Sequence, residues 1–382
     1  MSNRKKILFL IESLSGGGAE KILSILLRNI DKSRFDVTLC CIVNVGQYLK
    51  DIPIDITYKY VLKNPNDCKS WLSKLIYTIK YKLVYSILPL KWVYRFWIPK
   101  GNDVEIAFVE GFSSKLLSHS TSKSRKIAWL HTDFGSNHWT NIIYRNDLEE
   151  EIAYSKYDDV VCVSKLAKES LLNLYPKLKS VVVKYNPIDD KKILDLSKEN
   201  IDKNFIPNSA IKLISTGRLV QQKGYDRLLP IIKRLIDEGI DISLTILGEG
   251  EDRNILEKYI VQNNLQNIVF LPGFVDNPYA VLAKHDIFVC SSRAEGYSTA
   301  VTEALILGLP VITTDCSGMK ELLGENNEYG IIVENDDESL YLGLKQLLTQ
   351  PSLIENYKQK ATNRQKDFSL NSLMAEIQNF IS

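Results

Sequence analysis

Residues 286–310 have the sequence DIFVCSSRAEGYSTAVTEALILGLP. Its opening apolar run is typical of a buried strand, and residues 298–308 have the composition of a helix, which a proline closes. Glu295 would therefore lie at the carboxyl end of a strand, and Glu303 inside the helix that follows. Ligands of open α/β sheets bind at this edge, where a helix amino terminus offers N–H groups to an anion. Two carboxylates there suit a ligand with phosphate and many hydroxyls. The alternative is that Glu295 only caps the helix and that Glu303 is a solvated residue on its surface.

A second loop of the same kind lies upstream, in residues 213–226, LISTGRLVQQKGYD. The pattern predicts a strand that ends near Thr216 and a helix that begins near Gly224. Arg218 and Lys223 both fall in the loop between them, where two cations could neutralise a diphosphate. The alternative is that both are solvated surface charges.

Strand and helix patterns alternate along the chain, which predicts an α/β protein with parallel sheets. Its 382 residues suggest two domains. A first set of strands is expected at residues 6–14, 36–43, 104–108, 126–130, 160–163 and 181–184, and a second at 212–215, 243–247, 268–271, 287–290, 311–313 and 331–333. We expect domains at residues 1–187 and 188–365, and a closing helix within 366–382.

Composition excludes several classes of protein. A net charge of +2 gives no reason to expect nucleic-acid binding, and six cysteines are too few for a disulfide scaffold at this length. The four histidines are scattered, so a structural zinc site is not expected. The first apolar run is short and contains Glu12, so we expect neither a signal peptide nor a transmembrane helix, and a cytoplasmic location.

The two loops together resemble a known family. GRLVQQKG at residues 217–224, followed by EGYSTAVTE at 295–303, is similar to the carboxy-terminal half of the retaining GT-B glycosyltransferases of family four. LGEG at 247–250 and LPGFV at 271–275 fall between them in the family's order, and SGGGAE at 15–20 also fits. The resemblance covers nearly the whole chain and implies two Rossmann-like domains that face each other across a cleft.

The resemblance also implies an activity, the retaining transfer of a hexose or N-acetylhexosamine from a nucleotide-sugar, with UDP as the expected nucleotide and GDP as the alternative. Arg218 and Lys223 would stabilise the leaving diphosphate. Glu295 would hold hydroxyls of the sugar, and Glu303 would hold those of the ribose. The other donor contacts are expected from Val275 at the base and from the N–H groups of Tyr297, Ser298 and Thr299 at the phosphates. No Asp-x-Asp motif occurs, so we expect cations in place of a metal ion, and no other cofactor.

Two features of the first domain complete the implied site. Gly16 and Gly17 lie in a loop that would face the donor diphosphate or the acceptor; the alternative is a turn without a ligand, and the spacing does not match a dinucleotide fingerprint. His131 ends a predicted strand and would contact the donor sugar, with Asp133 as a candidate to orient either His131 or the acceptor; the alternative is a structural histidine. The expected catalytic residues are His131, Arg218, Lys223 and Glu295.

The segment from Lys69 to Lys100 contains no acidic residue and is rich in aromatic and basic ones. We call it the basic aromatic segment. Before Pro89 its spacing is helical, with one stripe formed by Leu72, Ile76, Ile79 and Leu83 and an opposite face formed by Lys74, Tyr77, Tyr81 and Tyr85. This pattern indicates docking on anionic lipid; the alternative is an amphipathic core helix with half-buried tyrosines.

Membrane docking would suit a lipid-linked glycan acceptor, as in capsule, exopolysaccharide or O-antigen assembly, on the inner face of the plasma membrane. Two other classes remain open. One is a GT-B relative with different chemistry, such as a sugar-nucleotide epimerase or a phosphorylase, although no pyridoxal-phosphate lysine is identifiable. The other is a non-catalytic nucleotide-sugar-binding protein. Donor turnover with and without an acceptor separates these classes.

Overall fold

The computed structural model describes residues 4–15, 17–201 and 207–382. The chain forms two compact units. Unit 1 comprises the chain up to Pro187 together with Asn371–Ser382, and unit 2 comprises Ile188–Leu370. Within the described residues each unit is built on one parallel β-sheet with helices, which is the Rossmann-like α/β architecture expected from the alternation of strands and helices.

The described part of unit 1 contains a sheet of seven parallel strands, in the order β3-β2-β1-β4-β5-β6-β7. The strands are Lys5–Ile11 (β1), Phe35–Val43 (β2), Thr57–Leu62 (β3), Val104–Ala107 (β4), Arg125–Leu130 (β5), Asp159–Cys162 (β6) and Val181–Val183 (β7). The helices of this unit are Gly18–Asn29 (α1), Trp71–Lys82 (α2), Leu90–Trp97 (α3), Phe112–Leu117 (α4), Asp147–Tyr154 (α5) and Lys165–Leu174 (α6). The strand order reverses between β1 and β4, so a ligand-binding crevice is expected at their carboxyl ends.

Unit 2 has a sheet of six parallel strands, in the order β10-β9-β8-β11-β12-β13, within its described residues. They are Ile211–Thr216 (β8), Ile242–Leu247 (β9), Val269–Gly273 (β10), Ile287–Cys290 (β11), Val311–Thr314 (β12) and Ile331–Val333 (β13). The helices are Asp190–Leu196 (α7), Tyr225–Asp237 (α8), Arg253–Gln262 (α9), Pro278–Leu282 (α10), Thr299–Ile306 (α11), Met319–Leu323 (α12), Asp337–Thr349 (α13) and Pro351–Arg364 (α14). Leu213 and Ile214, consecutive in β8, lie in separate hydrophobic clusters, because alternate side chains of a strand point to opposite faces. The strand order reverses between β8 and β11.

The last helix, Leu370–Ile381 (α15), packs on unit 1. The backbone N–H of Asp31 donates to Oε1 of Gln378 over 2.6 Å, and Arg125 donates to the carbonyl of Phe380 over 2.6 Å. These long-range hydrogen bonds tie the end of the chain to the amino-terminal sheet.

The sequence pattern missed one strand. The edge strand β3 exposes Thr57, Lys59 and Tyr60, and only its last two residues are buried. An edge strand pairs on one side only and carries polar residues that discourage further pairing, so it lacks the apolar run of a central strand.

The basic aromatic segment forms α2, a π-helical turn at Leu83–Ile87, and α3 after Pro89. The apolar stripe faces solvent: Leu72, Ile76 and Ile79 each expose more than half of their surface. Tyr77 and Tyr85, on the opposite face, pack against the core of unit 1 instead. The interpretation of the stripe as core packing is therefore wrong, although the tyrosines are half-buried as that alternative expected.

Candidate functional site

At the carboxyl edge of the unit 2 sheet, the loops after β8 and β11 bring two predicted site residues into contact. Nζ of Lys223 lies 2.6 Å from Oε1 of Glu295. The hydroxyl of Ser292 donates to the same carboxylate oxygen over 2.5 Å. Both charged side chains are largely buried, so the ion pair is shielded from water. The sequence placed both residues at this edge but did not predict that they pair.

The pair controls the charge of Lys223. Burial acts to lower the pKa of the Lys223 ammonium, but the Glu295 carboxylate and neighbouring groups outweigh this effect and leave the pKa above its usual value. Lys223 is therefore a fixed cation at neutral pH. A buried cation at the carboxyl edge of a sheet can stabilise negative charge that develops on a bound phosphate.

Close backbone packing fixes the loop that carries Lys223. Gly224 has a φ of +68°, and a Cβ added there would lie 2.1 Å from the carbonyl oxygen of Ser291. The hydroxyl of Ser291 donates to the carbonyl of Lys223 over 2.9 Å, and the amide of Gln222 donates to the carbonyl of Ala294 over 2.8 Å. A side chain at residue 224 would separate the two loops, so glycine is required there.

Arg227, in the first turn of α8, stabilises the loop after β11 through hydrogen bonds to its backbone. Its guanidinium donates to the carbonyls of Ser291 and Ser292, each over 2.8 Å, and to Oδ1 of Asn335 over 2.7 Å. Only 6% of the residue is exposed. The sequence did not predict these hydrogen bonds, because an arginine in a predicted helix is ordinarily a surface charge.

The second predicted cation differs in its surroundings. Arg218 is exposed, and across the described ranges its side chain has no hydrogen-bond or ion-pair partner. Its guanidinium therefore keeps all its donors for an incoming anion.

The remaining donor-site residues of unit 2 lie near the start of α11 and in the loop after β10. Tyr297 precedes the helix, the hydroxyl of Ser298 caps it by accepting from the N–H of Val301, and Thr299 is its first residue. The first N–H groups of such a helix have no partner within it.

Two other predicted donor contacts lie in different elements of unit 2. Glu303 is buried inside α11, where the hydroxyl of Tyr279 lies 3.4 Å from its carboxylate. Val275 follows β10 and packs against the adjacent core.

In unit 1, His131 follows β5 at the carboxyl edge of the sheet. Its backbone N–H donates to Oε2 of Glu110 over 2.8 Å, while Nε2 of the ring is buried without a partner in the part of the chain that the structure describes. Burial lowers the pKa of His131 to about 4, although the charge of Glu110 and a backbone hydrogen bond at Phe108 act in the opposite direction. The imidazole is therefore neutral at pH 7, and its Nε2 is a buried polar atom without a partner among the described residues.

Glu110, just after β4, is the residue that fixes this corner. Besides the His131 N–H, its carboxylate accepts from the hydroxyl of Thr132 and from Nε1 of Trp139 over 3.2 Å. Asp133 instead accepts from the N–H of Gly135 over 2.9 Å and stabilises its own turn. The expectation that Asp133 orients His131 is corrected accordingly. An acidic residue directly after an apolar strand was the available signal for Glu110.

The glycine loop of unit 1 is described only in part. Gly17 precedes α1, and a Cβ added there would lie 2.3 Å from the carboxylate of Glu20. Gly16, the other predicted residue of this loop, lies outside the described residues.

Residues 4–15, 17–201 and 207–382 contain no group of three or more His, Cys, Asp and Glu side chains placed to hold a metal ion. They also contain no helix with the length and apolar character needed to span a bilayer.

The sequence is similar to proteins of a known family. Residues 197–364 match the family described as "Glycosyl transferases group 1". Over 372 residues the chain is 30% identical to the N-acetylgalactosamine-N,N'-diacetylbacillosaminyl-diphospho-undecaprenol 4-alpha-N-acetylgalactosaminyltransferase of Campylobacter jejuni, covering 95% of this chain and 96% of the relative. It is 25% identical over 244 residues to the capsular polysaccharide biosynthesis glycosyltransferase CapM of Staphylococcus aureus, covering 60% and 63% of the two chains.

The fold is shared with solved structures as well. The crystal structure of Anabaena HepE in complex with UDP-glucose superposes with a TM-score of 0.77 at 17% identity, covering 98% of this chain and 99% of that one. Two Rossmann-like units, the family match and a relative similar along nearly the full length agree with one another. The chain belongs to the group 1 glycosyltransferases and has their GT-B fold.

Proposed function

We propose that this glycosyltransferase moves a hexose or N-acetylhexosamine from a UDP-sugar, with retention of configuration, to a lipid-linked glycan in capsule, exopolysaccharide or O-antigen synthesis. The observation that carries the proposal is the buried Lys223–Glu295 pair in the loops beside the start of α11. It combines a fixed cation for a diphosphate with a carboxylate for sugar hydroxyls. The acceptor class is supported by the undecaprenol-linked substrate in the Campylobacter relative's name.

Each predicted residue has a role in this reaction. Lys223 and Arg218 stabilise the charge that develops on the UDP leaving group, since preorganised cations lower the barrier most where charge appears. The N–H groups at residues 297–299 bind the phosphates, and Val275 contacts the base through its backbone. Glu303 binds the ribose hydroxyls and Glu295 those of the sugar. The reaction requires no metal ion and no other cofactor.

In unit 1, the neutral imidazole of His131 is the group that would contact a hydroxyl of the donor sugar. A neutral ring suits a hydrogen bond to an uncharged hydroxyl, because one of its nitrogens can donate and the other can accept. Gly17 keeps the loop before α1 without a side chain where the substrate approaches.

We further propose that the enzyme is peripheral on the inner face of the plasma membrane and docks through the basic aromatic segment. The exposed stripe of α2 continues into exposed rings on α3, including Trp92 and Phe96. The segment contains no acidic residue, and Lys74, Lys82 and Lys91 are exposed along it. Exposed apolar rings flanked by lysines match an anionic bilayer in both hydrophobicity and charge.

A turnover screen tests the proposed function. Purified enzyme would be given UDP- and GDP-sugars with undecaprenyl-diphosphate-linked mono- and disaccharides, and products would be identified by mass spectrometry, with anomeric configuration assigned by NMR. We expect transfer from a UDP-sugar with retention, and equal rates with and without EDTA. An inverted product, or complete loss of transfer in EDTA, would contradict the proposed chemistry.

The same screen separates the two alternatives. Conversion of the donor sugar without any acceptor would indicate an epimerase. Donor binding without any turnover across the acceptor panel would indicate a non-catalytic binding protein.

A further inference from the structure

Glu12 stands at the crevice of unit 1 but has no role in the reaction described so far. It directly follows β1, one of the two strands between which the strand order reverses, and Glu110 follows the other, β4. Ligands of open α/β sheets bind at the carboxyl edge at such a reversal. The carbonyl of Glu12 accepts from the N–H of Val43 over 2.8 Å, so the backbone at this position is fixed.

The side chain of Tyr85 contacts the Glu12 carboxylate. The phenol of Tyr85 donates to Oε1 of Glu12 over 2.5 Å. The Tyr85 ring packs on Phe112 with a centroid distance of 4.3 Å and on Tyr81 with a distance of 4.6 Å. Tyr85 belongs to the π-helical turn of the basic aromatic segment, so this segment reaches the crevice through it.

The carboxylate of Glu12 has more hydrogen-bonding capacity than its surroundings use. A carboxylate can accept about four hydrogen bonds. Glu110 receives three, from the His131 backbone, Thr132 and Trp139, as expected for a structural carboxylate. In the part of unit 1 that the structure describes, Glu12 receives one side-chain hydrogen bond and pairs with no cation.

Burial also affects this carboxyl group directly. It raises the pKa of Glu12, and the hydrogen bond from Tyr85 opposes the shift. A desolvated carboxylate with unfilled acceptor sites in a crevice is characteristic of a group that meets a ligand. The ligand chemistry that fits is an uncharged hydroxyl donor, because a phosphate would be repelled.

We propose that Glu12 binds a hydroxyl group of the acceptor sugar and that Tyr85 is a positioning residue that orients the Glu12 carboxylate for this contact. The proposal rests on the proposed function and deepens it, since it assigns a sugar-binding residue to the acceptor. It also links acceptor binding to the segment through which the enzyme would meet the lipid.

Steady-state kinetics on Glu12→Gln, Tyr85→Phe and the double variant test this proposal, with the donor and acceptor that give the highest kcat/KM in the screen. Glu12→Gln keeps the shape of the side chain and can still accept from Tyr85. We expect the KM for the acceptor to rise about 10-fold or more, as for a lost hydrogen bond to a charged group, while the affinity for UDP stays unchanged. Tyr85→Phe should raise the same KM less, and the double variant should be no worse than Glu12→Gln, because Tyr85 acts through Glu12.

Tyr81→Phe is the matched control. It removes a hydroxyl one turn earlier in the same stack of rings and should leave the acceptor KM unchanged. Binding of all variants to anionic vesicles should equal that of the wild type, which separates acceptor recognition from docking. An unchanged acceptor KM in Glu12→Gln, or additive effects in the double variant, would overturn the proposal. Because the wild type would still transfer the sugar in that case, the proposed function would stand. Absence of wild-type transfer would count against the function itself.

Discussion

The contact between Lys223 and Glu295 makes the predicted roles of these two residues depend on each other. The sequence assigns it to the diphosphate and assigns Glu295 to the sugar, as separate tasks. In the structure they form a buried ion pair over 2.6 Å, so each determines the electrostatic environment of the other. A donor that binds there must share Lys223 with Glu295, and a substitution at either residue acts on both.

Loss of either cation should impair the chemical step. We expect Lys223→Ala and Arg218→Ala each to lower kcat by about 100-fold or more, as for other groups that stabilise developing charge. Lys233→Ala is a control, because Lys233 is a partly exposed lysine of α8 that pairs with Asp237, and it should retain wild-type turnover. Near-normal turnover in both site variants would refute the assignment to the leaving group.

Substitutions of the two glutamates should affect the binding of different parts of the donor. Glu303→Ala should weaken binding of free UDP, because the ribose contact is lost. Glu295→Ala should impair transfer and sugar discrimination more than it weakens UDP binding. Calorimetry with UDP and with the UDP-sugar distinguishes the two roles; equal losses for both ligands in both variants would mean that the roles are wrong.

The ion pair also predicts a change in pH dependence. In Glu295→Gln the carboxylate that raises the pKa of Lys223 is gone, while burial still acts to lower it. Lys223 should then lose its proton at a lower pH than in the wild type, so UDP affinity should fall as the pH rises. Titration calorimetry from about pH 7 to about pH 10 checks this. Parallel pH profiles for the variant and the wild type would show that Lys223 does not bind the nucleotide.

At the level of elements, α8 stabilises the site loop through Arg227. In Arg227→Met the carbonyls of Ser291 and Ser292 lose a buried donor, and the amide oxygen of Asn335 loses its partner. We expect the free energy of unfolding to fall by about 2 kcal/mol, as for buried acceptors left without a donor. Urea unfolding followed by circular dichroism measures this change.

The matched control for Arg227 lies on the same helix. Arg234 is exposed and pairs with Glu338 at the surface, so Arg234→Met should change the stability little. Equal stability of the two variants would show that the hydrogen bonds of Arg227 are not needed for the fold of unit 2.

At the scale of the whole molecule, the proposed docking of the basic aromatic segment would place the enzyme at the membrane. Each basic residue near an anionic bilayer contributes about 1 kcal/mol, so a triple Lys74→Glu, Lys82→Glu, Lys91→Glu variant should lose most of its attraction to the membrane. Lys80 is left intact, because it donates to the carbonyl of Val61 and supports the segment. We expect wild-type protein to co-sediment with anionic vesicles, less with neutral ones and less in high salt.

The control carries the same charge change elsewhere, at three exposed lysines of unit 2: Lys258, Lys284 and Lys358. It should sediment like the wild type. The segment variant should use a soluble acceptor analogue better than a lipid-linked acceptor in membranes. If wild-type protein ignores anionic vesicles, the exposed stripe has another partner and the proposed location is wrong.

The sequence by itself determined the α/β class, nearly every strand and the family, because central strands are continuous apolar runs and the site loops follow them directly. The GT-B fold and the glycosyltransferase activity that it predicted are confirmed. The edge strand β3 escaped prediction for the converse reason, since half-exposed strands lack such a run. The individual roles at the site stay predictions.

Only the tertiary structure decided which side chains meet. Lys223 and Glu295 are 72 residues apart, and Glu12 and Tyr85 are 73 apart, so their pairing depends on strand order rather than on local spacing. The same holds for the orientation of α2, where Tyr77 and the aliphatic stripe are both apolar and the spacing alone could not say which face packs. Tertiary contacts settle such choices: Tyr77 of α2 and Tyr85 of the following turn pack against the core of unit 1, where Tyr85 also meets Glu12, and the aliphatic stripe stays in solvent.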